Sequence, residues 1–93
     1  MNKITETKLK KYFSITKKAL SKATIHKDYK TEATKLLAMA QRYYDDAKYF
    51  YKEKNDLVTA FAALNYAHGW LDAGAHLGYF DVDDDQLFVL KDE

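Results

Sequence analysis

No proline occurs in this chain of 93 residues, and its three glycines fall at Gly69, Gly74 and Gly78. Nothing before residue 69 breaks a helix through backbone chemistry, so long helices are the default and turns must be read from caps and periodicity. The apolar residues then recur at the three-and-four spacing that gives a helix one buried stripe.

Leu9, Tyr12, Phe13, Thr16, Leu20 and Ala23 make such a stripe and predict a first helix over about residues 5–24. Lys3, Lys10, Lys11, Lys17, Lys18 and Lys22 fall on its other side. A second helix is predicted over about 31–54; Asp28 or Thr31 can start it, and Thr31 fits the cap, with Glu32 in the first turn. Its stripe is Leu36, Leu37, Ala40, Tyr43, Tyr44, Ala47, Phe50 and Tyr51. The stretch "EKND" ends it, Asp56 caps a third helix over about 56–77, and Gly78 stops that helix. So short a gap forces the second and third helices into an antiparallel hairpin.

The third helix has two apolar faces. One carries Leu57, Phe61, Leu64, His68, Leu71 and Ala75; the other carries Ala63, Tyr66, Trp70 and Leu77. Ala60, Ala67 and Gly74 lie between them, small enough for close helix approach. A helix apolar over that much of its circumference meets neighbours on more than one side. The expected fold is all-α, an antiparallel up-and-down three-helix bundle in a single domain over 1–93, with a short non-helical tail over 79–93. In that tail, "YFDVDDDQLFVLKDE", the run "LFVL" is too apolar to stay in water, so the tail folds back on the bundle or pairs with another chain.

Composition narrows the class of function. Hydrophobic residues make up 47% and aromatics 15%, which is globular rather than disordered. With no cysteine there is no disulfide framework and no thiolate chemistry. No apolar run approaches the ~20 residues a bilayer requires, and "MNKITETKLKKYFS" lacks the apolar centre of a secretory signal, so a cytoplasmic protein with no membrane partner is expected. The net charge of +1 hides an asymmetry: residues 1–35 hold ten lysines against Glu6, Asp28 and Glu32, while residues 36–93 hold eleven acidic groups against five basic ones. Either the two halves neutralise each other in the fold, or the basic part faces an anionic partner.

The stretch "RYYDDAKYFYKEKNDLVTAFAALNYAHGWLDAGAHLG", through Tyr44, Asp46-Ala47, Asn55-Asp56, Ala60-Phe61 and "NYAHGWLDAG", resembles the archaeal family known as domain of unknown function 357. The likeness covers roughly residues 36–80, with the first helix matched by pattern only. It implies a small three-helix up-and-down bundle in an archaeal cytosol and brings no activity with it. Tetratricopeptide repeats share the Tyr, Ala, acidic-turn hairpin, but they need stacked repeats of ~34 residues, and no second copy is present. HEPN-type ribonucleases place His shortly after an Arg; here Arg42 is followed by "YYDDAK".

Four groups of residues are candidates for function. His68, Asp72 and His76 recur every four residues, so all three can approach one point, and their donors suit Zn²⁺ or another first-row metal. A structural histidine on an apolar edge is the competing reading, since no HExxH or Glu-x-x-His pair accompanies it. Asp81, Asp83, Asp85 and Asp92 fall at positions 1, 3, 5 and 12 of a calcium loop, but Gln86 stands where the sharp turn needs glycine, so a solvated acidic turn is expected. Lys10, Lys11, Lys17, Lys18 and Lys22 can meet phosphates without reading bases. Tyr43, Tyr44, Tyr51 and Tyr66 read as core rings with hydroxyls at the rim, and Tyr49, on the polar side, marks a contact surface.

Catalysis finds little support. Ser14 and Ser21 are the serines, neither in a nucleophile elbow, and no glycine loop cradles phosphate. Asp45 and Asp46 diverge by about 100° on a helix and cannot act as one pair. The expectation is a non-enzymatic helical interaction module without cofactor, self-associating or holding a protein partner through Tyr49, Tyr66, Trp70 and Leu77. The alternatives are an RNA or DNA binder using the first-helix lysines, and a metal-dependent hydrolase using His68, Asp72 and His76.

Overall fold

The computed structural model describes residues 5–81. Three helices, α1 (Glu6–Lys22), α2 (Lys30–Lys52) and α3 (Leu57–His76), pack against one another, and α3 touches both of the others. The all-α bundle is the one expected. A two-stranded antiparallel ladder is added to it, pairing β1 (Thr24–Ile25) with β2 (Phe80–Asp81) in the register Thr24↔Asp81 and Ile25↔Phe80.

Helix ends follow from local chemistry. The Thr5 hydroxyl accepts from the Lys8 amide at 3.1 Å and opens α1. Asp56 caps α3 as expected: one carboxylate oxygen accepts from the Thr59 amide at 3.0 Å, the other from the Thr59 hydroxyl at 2.6 Å. These two bonds, the hydroxyl's first, hold the Asp56 carboxyl below its usual pKa. Before it, Asn55 turns the chain with φ 49°, a left-handed conformation that Asn tolerates better than most side chains. At the other end of α3, Gly78 takes φ 78° and donates to the Ala75 carbonyl at 3.1 Å, while Tyr79 donates to Gly74 at 2.8 Å. That pair of bonds is the Schellman motif, and glycine supplies its left-handed residue without a Cβ penalty.

Two boundaries differ from expectation. The first helix stops at Lys22 rather than near Thr24, because Ala23 turns extended and the β-branched pair Thr24–Ile25 enters the ladder. The His26 amide continues that ladder with a 2.8 Å bond to the Tyr79 carbonyl. Thr31 does not cap α2, which begins at Lys30 with no side-chain cap on Tyr29. A 3₁₀ turn at Lys27–Tyr29 leads into it instead, and that turn is capped by the His26 ring, whose Nδ1 accepts from the Asp28 amide at 3.1 Å.

The core is rich in alanine, which brings helix axes close. Leu9, Thr16 and Ala19 enter from α1, Ala33, Ala40, Tyr44 and Ala47 from α2, and Ala60, Leu64, Ala67, Leu71 and Ala75 from α3. Leu64 and Leu71 are 1% and 0% exposed, as the wheel predicts. Phe80, 3% exposed, completes one end of the core, and its ring fills the space a side chain on Gly74 would take. Gly74 therefore makes room for β2 rather than for a neighbouring helix.

No described helix is long and apolar enough to cross a membrane. Of the expected tail, Tyr79, Phe80 and Asp81 are placed; "LFVL" and the acidic positions Asp83, Asp85 and Asp92 lie outside the described residues.

Candidate interaction surfaces

The outward side of α3 is made by Val58, Ala62, Asn65, Tyr66, Gly69, Ala73, His76 and Leu77, all exposed. At 100° per residue they occupy one sector of about 120°. No Lys, Arg, Asp or Glu is among them, whereas the outward side of α1 is dominated by Lys and that of α2 mixes Lys and Arg42 with Glu32, Asp45 and Asp46. Tyr66 is 63% exposed and Val58 68%. The Tyr66 ring stacks on Tyr43 of α2, with centroids 5.4 Å apart. Gly69 sits mid-helix, where glycine costs about 1 kcal/mol relative to alanine, yet a Cβ there would meet nothing within 4 Å.

The expected contact residues divide. Leu77 is exposed on the α3 face. Tyr66 is also there and is not the core ring that helical spacing suggested, because it lies at the edge of the α2–α3 contact, where it stacks on Tyr43 and stays mostly exposed. Trp70 is half-buried against the cluster of Leu71, Ala75 and Phe80, so its own subunit already holds it. Tyr49 is 49% exposed on α2, edge-on to Phe50 and beneath the Lys54 ammonium. Val58, Ala62 and Ala73 escaped the sequence reading. The signal that finds them is the absence of charge along one third of the wheel, not the presence of large apolar residues.

His68 Nε2 stands 3.8 Å from Asp72 Oδ1, both about one quarter exposed, while His76 is exposed. Among the described residues, no three His, Cys, Asp or Glu side chains are grouped as a metal ion would require. A second histidine node was not foreseen: His26 lies between Asp28 and Asp81, at 3.9 and 4.0 Å, where the ladder meets the 3₁₀ turn.

A groove runs between α1 and α2. Lys10, Phe13, Tyr44, Lys48, Tyr51 and Lys52 line a cavity of about 220 Å³. It adjoins a wider cavity of about 600 Å³ that shares Tyr44, Lys48 and Lys52 and adds Lys17, Leu20, Ser21 and Gln41. Glu6 pairs with Lys10 at 3.8 Å and accepts from the Tyr51 hydroxyl at 3.1 Å. Lys48 reaches Asp45 at 3.7 Å and lies 5.2 Å over the Tyr44 ring. Of the five α1 lysines singled out by sequence, Lys10 and Lys17 line this groove, and Lys11, Lys18 and Lys22 are not among its lining residues. Lys48 and Lys52 were missed because they belong to the part of the chain that is acidic in sum.

No curated protein and no solved structure matches this chain. Residues 11–80, from within α1 to Phe80, match the sequence model of a family described as a protein of unknown function, DUF357, and with well over half of its length matched the chain belongs to that family.

Proposed function

We propose that this protein is a non-enzymatic helical interaction module that holds a second copy of itself through the outward face of α3. The observation that carries the reading is the combination on that face of exposed Tyr66, Val58 and Leu77 with no charged Lys, Arg, Asp or Glu. A contiguous uncharged, partly apolar helix face is unfavourable in water and favourable against its own image. Gly69, Ala62 and Ala73 let two helices approach closely, and such contact offsets the helix-forming cost of the glycine. In a two-fold pair of antiparallel α3 helices crossing at Gly69, Ala62 faces His76 of the second copy and Asn65 faces its Ala73. The non-enzymatic part rests on the described residues, among which no nucleophile is paired with a base and no carboxylates converge.

Sedimentation equilibrium of the full chain tests this. A reversible dimer is expected. Gly69→Glu places a buried charge at the crossing and should give a monomer with unchanged helical circular dichroism, because its side chain has open space within its own subunit. A wild-type protein that stays monomeric up to millimolar concentration, or a dimer indifferent to Gly69→Glu and Ala62→Glu, would remove the reading.

A further inference from the structure

We infer that the groove between α1 and α2 binds a short run of single-stranded nucleic acid, with its lysines on the phosphates and its aromatic floor against the bases. The inference is independent of the α3 face, which lies on a different helix. Lys10 and Lys17 stand on the α1 wall, Lys48 and Lys52 on the α2 wall. Lys48 and Lys52 are about 6 Å apart along their axis, the scale of one nucleotide step, and Lys10 and Lys17 about 10 Å. Glu6 and Asp45 each engage one of the four, while Lys17 and Lys52 have no carboxylate partner among the described residues. The groove therefore keeps a net positive charge with its acidic groups already occupied.

The floor is what separates this groove from an ordinary solvated lysine face. Phe13 lies edge-on to Tyr44 and tilted against Tyr51, with both centroid distances 5.8 Å, so three rings form one continuous apolar strip. Phe13 and Tyr51 are half-buried and keep part of a ring open to the groove. A positive channel over stacked aromatic side chains is the recurring solution for single strands without sequence preference, because every base has a π-face. A duplex keeps its bases stacked on one another and cannot present them to this strip. The two adjoining cavities make an elongated channel rather than a closed pocket, which favours a strand over a free mononucleotide. No Arg fork lines the groove and its one carboxamide, Gln41, already donates to Asp45 at 3.1 Å, so sequence tolerance is expected.

Fluorescence anisotropy of labelled oligo-dT and oligo-U, each about a dozen nucleotides long, tests the inference on the full chain. Both should bind, and about three phosphate contacts predict roughly a twentyfold loss of affinity between about 50 and about 200 mM salt. The double reversal Lys17→Glu/Lys52→Glu should weaken binding at least about tenfold, since both charges face the strand. Tyr51→Ala should weaken it about fivefold at an unchanged salt slope, because stacking rather than charge is lost. Lys30→Glu/Lys35→Glu, outside the groove, should stay within about twofold. If the groove reversal disturbs the helical spectrum, Lys17→Gln/Lys52→Gln takes its place. The inference fails if the outside reversal weakens binding as much as the groove reversal, or if a duplex competes as well as the single strand. It also fails if the oligonucleotides do not bind, even where a polyglutamate peptide or a mononucleotide does.

Discussion

The ring of Phe80 occupies the space into which a side chain on Gly74 would project. Gly69, five residues earlier on the same helix, faces no atom of its own subunit. The two glycines therefore predict opposite outcomes for one substitution. Gly74→Ala forces the ring or the helix to shift, an overpacking cost of about 1–3 kcal/mol set against about 1 kcal/mol of helix propensity regained. A net loss of up to about 2 kcal/mol is expected by urea denaturation. In a Phe80→Ala background the same change should become neutral or stabilising. Gly69→Ala, measured at concentrations where the chain is monomeric, should stabilise by about 0.4–1 kcal/mol.

Leu64 and Leu71 occupy the middle of the face that α3 turns inward, and both are fully enclosed. Leu64→Ala and Leu71→Ala should each cost about 2–5 kcal/mol, the transfer of the lost methyls plus the cavity left behind. A change below about 0.5 kcal/mol in equilibrium unfolding would place them at the surface.

Asp56 links the start of α3 to acid stability. Its carboxylate is favoured in the folded state by the Thr59 hydroxyl and amide, so its pKa is lower folded than unfolded. The stabilisation is present above the unfolded pKa and fades as pH falls through the folded one. Asp56→Asn should keep much of the cap at neutral pH while flattening the loss of stability below the usual carboxylate range. Asp56→Ala should lower the urea midpoint at neutral pH because both bonds go.

His68, Asp72 and His76 should behave as structural polar residues. Adding Zn²⁺ should leave the melting temperature nearly unchanged, since an ion that saturates a folded site stabilises it by mass action. A large rise, abolished by His76→Ala, would establish a metal site instead.

What the sequence disclosed was local, and what it hid was brought together from afar. Asp56 and Gly78 were legible because a cap and a left-handed stop act within a few residues of themselves. Thr31 misled because the chain uses a histidine ring and a 3₁₀ turn where Ser, Thr, Asp or Asn is the usual cap. Thr24–Ile25 carries a β-branched signal too short to read without its partner, and Phe80 looked like tail until the Schellman turn aimed it at Gly74. The charge on α1 was plain, but the groove needs Lys48 and Lys52 from α2, and helical spacing alone does not say which side of one helix faces which side of another.

The β1–β2 ladder gives the molecule an order of assembly. The α2–α3 hairpin is closed by the short turn 53–56 and forms from neighbouring sequence. The ladder joins Ile25 to Phe80 and so encloses both of those helices in a single long loop, whose closure entropy must be met before any bond rewards it. The hairpin should then be the early-forming unit, with α1 and the ladder docking onto it afterwards. Seen from the native side, the same hierarchy appears as partial opening, in which amide hydrogens of Thr24, Ile25 and the α1 helix exchange through a lower barrier than those around Leu64 and Leu71.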